Sequence, residues 1–265
     1  TLESKGSTFV AAASLAGFNV VAGAGNFRLG KTTNASDVSM SGSISVTGDI
    51  EVYGNSLTVG SLVTSETSGL GILLKALANI TTTVGTTASP NTIAVTGTNS
   101  TAPITFWANS DASGDGAIFV YNYNDITTQG GDITMGGSAT ASDTSPTSYA
   151  IGSAANNHAV RLGSGAGTSL ANVRIRSNGG DIAIRGKTTY ANAYAILVYT
   201  GHLINSGTGR IYMNGYSTNT GNAVYLESSS TVTSMITSAA PANATPAIEI
   251  IGQNDSTTAT DANQR

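Results

Sequence analysis

The sequence predicts an all-β fold, a right-handed parallel β-helix with short strands and Gly, Asn and Asp at the corners. Three observations lead there: a recurring glycine-flanked strand motif, a second strand type alternating with it, and a composition rich in small polar residues but poor in charge. The motif reads Gly, any residue, Ile, any residue, an aliphatic, any residue, Gly. It occurs at 42–48 and 48–54, returns at 131–137, 180–186 and 209–215, and has looser copies at 91–97, 116–122 and 246–252. Alternation of apolar with small or polar residues between glycines is the period-two pattern of a short half-buried strand between turns.

The second strand type reads Ala159-Val160-Arg161-Leu162, Ala195-Ile196-Leu197-Val198 and Ala223-Val224-Tyr225-Leu226. Gly180 to Ala195 is 15 residues and Gly209 to Ala223 is 14, whereas the return arcs are uneven, so the full period is 36 and then 28 residues. One constant and one variable arc suit a coil with loops on one side. Like strands then pair with like strands one coil away, instead of folding back as the hairpins of a sandwich or barrel. Stacked coils bury a continuous Ile/Val/Leu core that no coil buries alone. Regular coils are expected over about 40–252, with 255–265 as a linker or frayed end, so that 1–265 is a single β-helical segment of a larger protein. Residues 69–79 form the one stretch with a helical alternative, and 138–150 read as a projecting loop.

Composition narrows the function classes. Charged residues are 10% of the 265, the hydrophobic share is 40% and the net charge is −4. Disordered chains pair low hydrophobicity with high net charge, so disorder is disfavoured. An acidic balance gives no electrostatic reason to bind nucleic acid. The cluster Arg174, Arg176, Arg185 and Lys187 reads as a solvated sheet face. With no cysteine, disulfides and thiolate metal sites are excluded. No stretch of about 18 apolar residues predicts a membrane-spanning helix. The opening Thr1-Leu2-Glu3-Ser4-Lys5 lacks a start Met and a signal-peptide pattern, which reads as a piece of something longer.

The run Phe106-Trp107-Ala108-Asn109-Ser110-Asp111-Ala112-Ser113-Gly114-Asp115-Gly116-Ala117-Ile118 leads into Ile126-Thr127-Thr128-Gln129-Gly130-Gly131-Asp132-Ile133-Thr134-Met135-Gly136-Gly137. This succession resembles repeats of the filamentous-haemagglutinin-like proteins, very large bacterial adhesins exported by two-partner secretion. Asn222 to Leu226, followed by Ser230 to Ser234, is similar in style. The resemblance covers most of 40–252 and is one of repeat style. It implies a right-handed β-helical shaft on the bacterial cell surface, non-enzymatic, displaying binding regions away from the cell. The family's secretion-signal domain is not apparent. The competing expectations are a subunit of a self-assembling extracellular filament, sheath or surface layer, and a polysaccharide-binding or polysaccharide-degrading β-helix. Expected partners are further copies end to end or neighbouring coils of the parent chain, and surface carbohydrate.

Candidate chemistry is sparse, and no catalytic residue or organic cofactor is expected. Asp111, Ser113 and Asp115, with Gly116 and Ile118 at the sixth and eighth positions, match the opening of a calcium loop. The twelfth position is Asn122 where a bidentate Glu belongs, and a turn between coils explains the run as well. His158 and His202 read as exposed turn residues. Asp49, Asp132 and Asp181 read as turn formers, not as the paired carboxylates of a glycosidase. Tyrosines concentrate towards the C-terminal half. Tyr199, Tyr212 and Tyr225 are candidates for stacking on sugar rings, against the alternative that they cover a sheet face and stack between coils.

Overall fold

A computed structural model describes residues 1–9, 11–15, 19–20, 23–154, 157–164, 173–227, 234–241 and 246–255. The fold is an all-β parallel β-helix with three sheets and no closed barrel. The first sheet stacks Phe27–Leu29, Ile50–Gly54, Ile72–Ala76, Ile104–Trp107, Ile133–Gly136, Ile182–Thr188, Ile211–Ser217 and Ile248–Asn254. The second stacks Ala13–Ser14, Val38–Met40, Leu57–Val59, Ile80–Thr82, Ile118–Val120, Val160–Leu162, Ile196–Val198 and Val224–Leu226. The third stacks Ile44–Val46, Leu62–Thr64, Asn91–Val95, Asn124–Thr127, Arg174–Arg176, Leu203–Asn205 and Met235–Thr237. From Phe27 onward the chain visits the first, second and third sheets in strict rotation, and every pairing between these strands is parallel.

Register follows from the apolar alternation. Ile50, Ile72, Ile104, Ile133, Ile182, Ile211 and Ile248 are successive partners in one column of the first sheet. Matching columns run Leu57, Ile80, Ile118, Val160, Ile196 in the second sheet and Leu62, Ile93, Ile126, Ile175, Ile204 in the third. Slipping any strand by one residue would turn its column outward, so burial fixes the register. Most of these side chains are fully buried, each stabilising the fold by about 2 kcal/mol relative to exposure.

The corners between the third and first sheets explain the glycine and aspartate of the motif. Thr128 Oγ1 donates to the Gly131 carbonyl and to the carbonyl of Ser177 one coil on. Ser177 Oγ repeats this with Gly180 and Ser206, and Ser206 Oγ donates to Gly209. These hydroxyls are buried, and the ladder satisfies carbonyls that water cannot reach. Glycine is required at 131, 180 and 209 because coils approach there at backbone distance. A Cβ on any of the three would collide with a carbonyl of the preceding coil. The following Asp reaches along the axis: Asp132 Oδ1 accepts from the Asp181 amide, and Asp181 Oδ1 from the Arg210 amide, each at 2.8 Å. Asp49 does the same for Leu70 and Gly71.

Several expectations change. The motif copies at 42–48 and 48–54 share a glycine yet lie on different sheets, because a corner turns between Val46 and Ile50. The third sheet supplies strands, such as Arg174–Arg176 and Leu203–Asn205, that two strand types did not foresee. The arc from first to second sheet is constant only in the last coils. Ile50 to Leu57 spans 7 residues, and Ile133 to Val160 spans 27. Pairing begins well before residue 40, with Leu2 already bridged to Leu29. Residues 69–79 contain the strand Ile72–Ala76, not a helix. The segment after Gly137 leaves the coil as expected and returns through antiparallel bridges Gly137 to Ser148 and Gly116 to Ile151, after which Ala150–Ile151 extends the first sheet. Ser230 to Thr233 and residues 256–265 lie outside the described residues.

The last coil is open. Ile250 is 42% exposed and Leu226 41%, although each occupies a column whose earlier members are buried. Because Ile211 N–H donates forward to the Ala247 carbonyl, the alternation of a parallel ladder aims the amides and carbonyls of Ile248, Ile250 and Gly252 away from the body.

Candidate functional site

The outer faces carry aromatic and cationic side chains that the register pairs between coils. Arg28 lies 5.0 Å from the Tyr53 ring centroid, Lys75 lies 3.8 Å from Trp107, and Arg185 lies 5.2 Å from Tyr212. Lys187 lies 5.1 Å from Tyr216, and Arg161 sits between Phe119 at 4.4 Å and Tyr199 at 5.1 Å. Among the described residues these five cations rest on rings of other coils, an attraction that desolvation strengthens. Burial lowers the Lys75 pKa, consistent with an ammonium held against Trp107.

A ring stack runs along the axis beside the second sheet. His158 and Tyr194 are parallel at 5.3 Å, and Tyr194 and Tyr225 are stacked at 4.6 Å. These separations match the spacing between rungs, about 4.8 Å. His158 Nδ1 accepts from the Tyr194 amide, which sets its tautomer. Burial pushes its pKa down to about 4.

The three sugar-stacking candidates are not brought to one face. Tyr199 and Tyr225 belong to the second sheet's edge, with Tyr225 the register partner of Leu197, whereas Tyr212 lies on the first sheet beside Ala183. Their ring faces are already engaged: Tyr199 by Arg161, Tyr212 by Arg185 and one face of Tyr225 by Tyr194. The geometry is that of stacking between coils.

Asp111, Ser113 and Asp115 are engaged separately. Asp111 Oδ1 accepts the Ser113 amide within its own turn, and Asp115 Oδ2 accepts the Tyr190 hydroxyl at 2.8 Å from a distant coil. Asn109, Ala112 and Gly114 in this loop have left-handed φ values, which makes it a tight turn. Among the described residues no group of three or more His, Cys, Asp or Glu side chains is placed to share a metal ion.

His202 is a correction. It is 2% exposed, not an exposed turn residue, and neither ring nitrogen has a hydrogen-bond partner among the described residues. Burial lowers its pKa to about 4. Of the four-cation cluster, Arg185 and Lys187 lie on tyrosines and Arg176 pairs with Asp125 at 2.6 Å.

Sequence reasoning missed one concave feature. A shallow cleft, open to solvent, lies at the corner between the second and third sheets, lined by Thr86, Thr87, Pro90, Tyr123, Asn124, Asp125 and Arg174. Tyr123 holds a left-handed backbone, φ 57°. The buried Asn124 amide fixes it by donating to the carbonyls of Thr83, Tyr121 and Asn122, while Asn91 Nδ2 donates to Asn124 Oδ1. The signal that marks this place is the pair of arginines flanking Ile175, but their neighbours come from other coils.

No helix among the described residues is long and apolar enough to cross a membrane. No protein-family model, no curated protein and no solved structure matches the chain.

Proposed function

We propose that the chain is a non-enzymatic structural segment of a rod, the shaft of an extracellular protein of the bacterial surface, with its stack continued beyond the C-terminal rung. The open rung carries this reading. Ile250 and Leu226 stand exposed in columns that elsewhere form the core, next to main-chain groups aimed away from the body. Exposed apolar patches with free strand edges mark surfaces meant to be covered. The inter-coil glycine, hydroxyl, aspartate and aromatic ladders suit a rod that carries load along its axis. The resemblance of the repeats to filamentous-haemagglutinin-like adhesins supports the surface location.

A self-assembling filament subunit is the second reading, favoured by Leu2, which is exposed on the first rung and offers an apolar opposite end. The two readings differ in the occupant of the edge: further coils of a parent chain, or a second copy. Sedimentation equilibrium of the chain and of Ile250→Lys tests the shared premise. The unmodified chain should self-associate and the lysine variant should not. Identical monomeric behaviour of both over a hundredfold concentration range would overturn the premise.

A further inference from the structure

We propose that the cleft at Arg174 is a binding subsite for an acidic saccharide unit, its carboxylate on the Arg174 guanidinium and its ring against Tyr123. The proposal does not depend on the rod reading.

Charge is the first observation. Arg174 and Asp125 are register partners on adjacent coils, and Arg176 lies on the same rung beyond Ile175. Asp125 is already committed, both its carboxylate oxygens accepting from Arg176 Nη2 at 2.8 and 2.6 Å. Two guanidiniums around one carboxylate leave a unit of positive charge. Arg174 is exposed at the cleft and has no hydrogen-bond or ion-pair partner among the described residues. A planar guanidinium recognises a carboxylate with two parallel hydrogen bonds.

Shape and rigidity are the second. The other lining groups are a phenol ring, two threonines and the Pro90 ring, the combination that meets the hydroxyls and the apolar ring face of a sugar. Unlike Tyr199 and Tyr212, Tyr123 has no ring or cation paired with it among the described residues. Its left-handed backbone costs about 1 kcal/mol for a residue bearing a Cβ. The Asn91–Asn124 network holds it in place, so the wall exists before any ligand arrives.

The test uses the full chain and titration calorimetry with a short oligogalacturonate, its methyl ester and acetate. The acid should bind, the ester at least tenfold more weakly, and acetate more weakly still. Arg174→Gln should weaken acid binding at least tenfold, with Arg185→Gln on another sheet binding as the parent does. Tyr123→Gly, which relieves the left-handed φ and so preserves the fold, should also weaken it several-fold. No binding by the parent at roughly ten millimolar ligand, or equal binding by Arg174→Gln, would overturn the site. Equal affinity for acid and ester would overturn the carboxylate's role, and acetate as strong as the oligomer would overturn the saccharide's.

Discussion

Asp132 accepts a hydrogen bond from the main-chain amide of Asp181, and Asp181 in turn accepts from that of Arg210. Each carboxylate thus covers an amide of the next coil at the corner where the third sheet hands over to the first. Asp132→Ala should destabilise the fold by about 1–2 kcal/mol, and Asp132→Asn, which keeps an acceptor, by less. Urea unfolding of the three proteins reads the difference. Equal stability of the alanine variant would mean that water replaces the carboxylate.

Glycine 180 and glycine 25 should respond oppositely to alanine. A Cβ at Gly180 would meet the backbone of Gly130 and Gly131, and one at Gly25 meets nothing within 4 Å. Gly180→Ala should cost at least about 2 kcal/mol, because backbone cannot yield as a side chain does. Gly25→Ala should lie within about 0.5 kcal/mol of the parent. Thermal unfolding with limited proteolysis checks both.

Mild acid should weaken the fold through His202. Its pKa is lowered to about 4 in the folded chain by burial and is about 6.5 when unfolded. Between these values the unfolded state binds the proton and the folded state does not, so stability is full above about pH 6.5 and falls as pH drops towards 4. The loss attributable to His202 is about 3 kcal/mol. His202→Gln should flatten that part of the pH profile, and an unchanged profile would assign the acid sensitivity elsewhere.

Tyr194 joins His158 to Tyr225 across three coils. Tyr194→Leu should cost about 1 kcal/mol beyond its change in buried area. His158→Ala in the Tyr194→Leu background should then cost less than His158→Ala alone, which a double-mutant cycle measures. Additive costs would show that the rings do not stabilise each other.

These relationships divide along a physical line. The isoleucine columns were legible because alternation at Ile133–Gly136 or Ile182–Thr188 is a local property of the chain, and so was like-on-like stacking. The third sheet was not: Arg174–Arg176 and Leu203–Asn205 are three-residue strands without the glycine frame. Asp132 and Asp181 read correctly as corner residues, but their reach to the next coil depends on register. His202 looked like a turn residue because sequence shows the turn and not the neighbouring coil that buries it. Tyr212 grouped with Tyr199 and Tyr225 only until the corners assigned them to different sheets. The Arg174 cleft joins residues 86, 123 and 174, which no local pattern links.

The open rung is the surface on which end-to-end joining depends. Leu226 and Ile250 occupy core columns at the end of the stack, and both are exposed there. Negative-stain electron microscopy of the purified chain across a range of concentrations tests this directly. Particles joined end to end along the coil axis are predicted, paired rods under the shaft reading and open-ended filaments under the subunit reading. Isolated compact particles that never join, whatever the concentration, would contradict it.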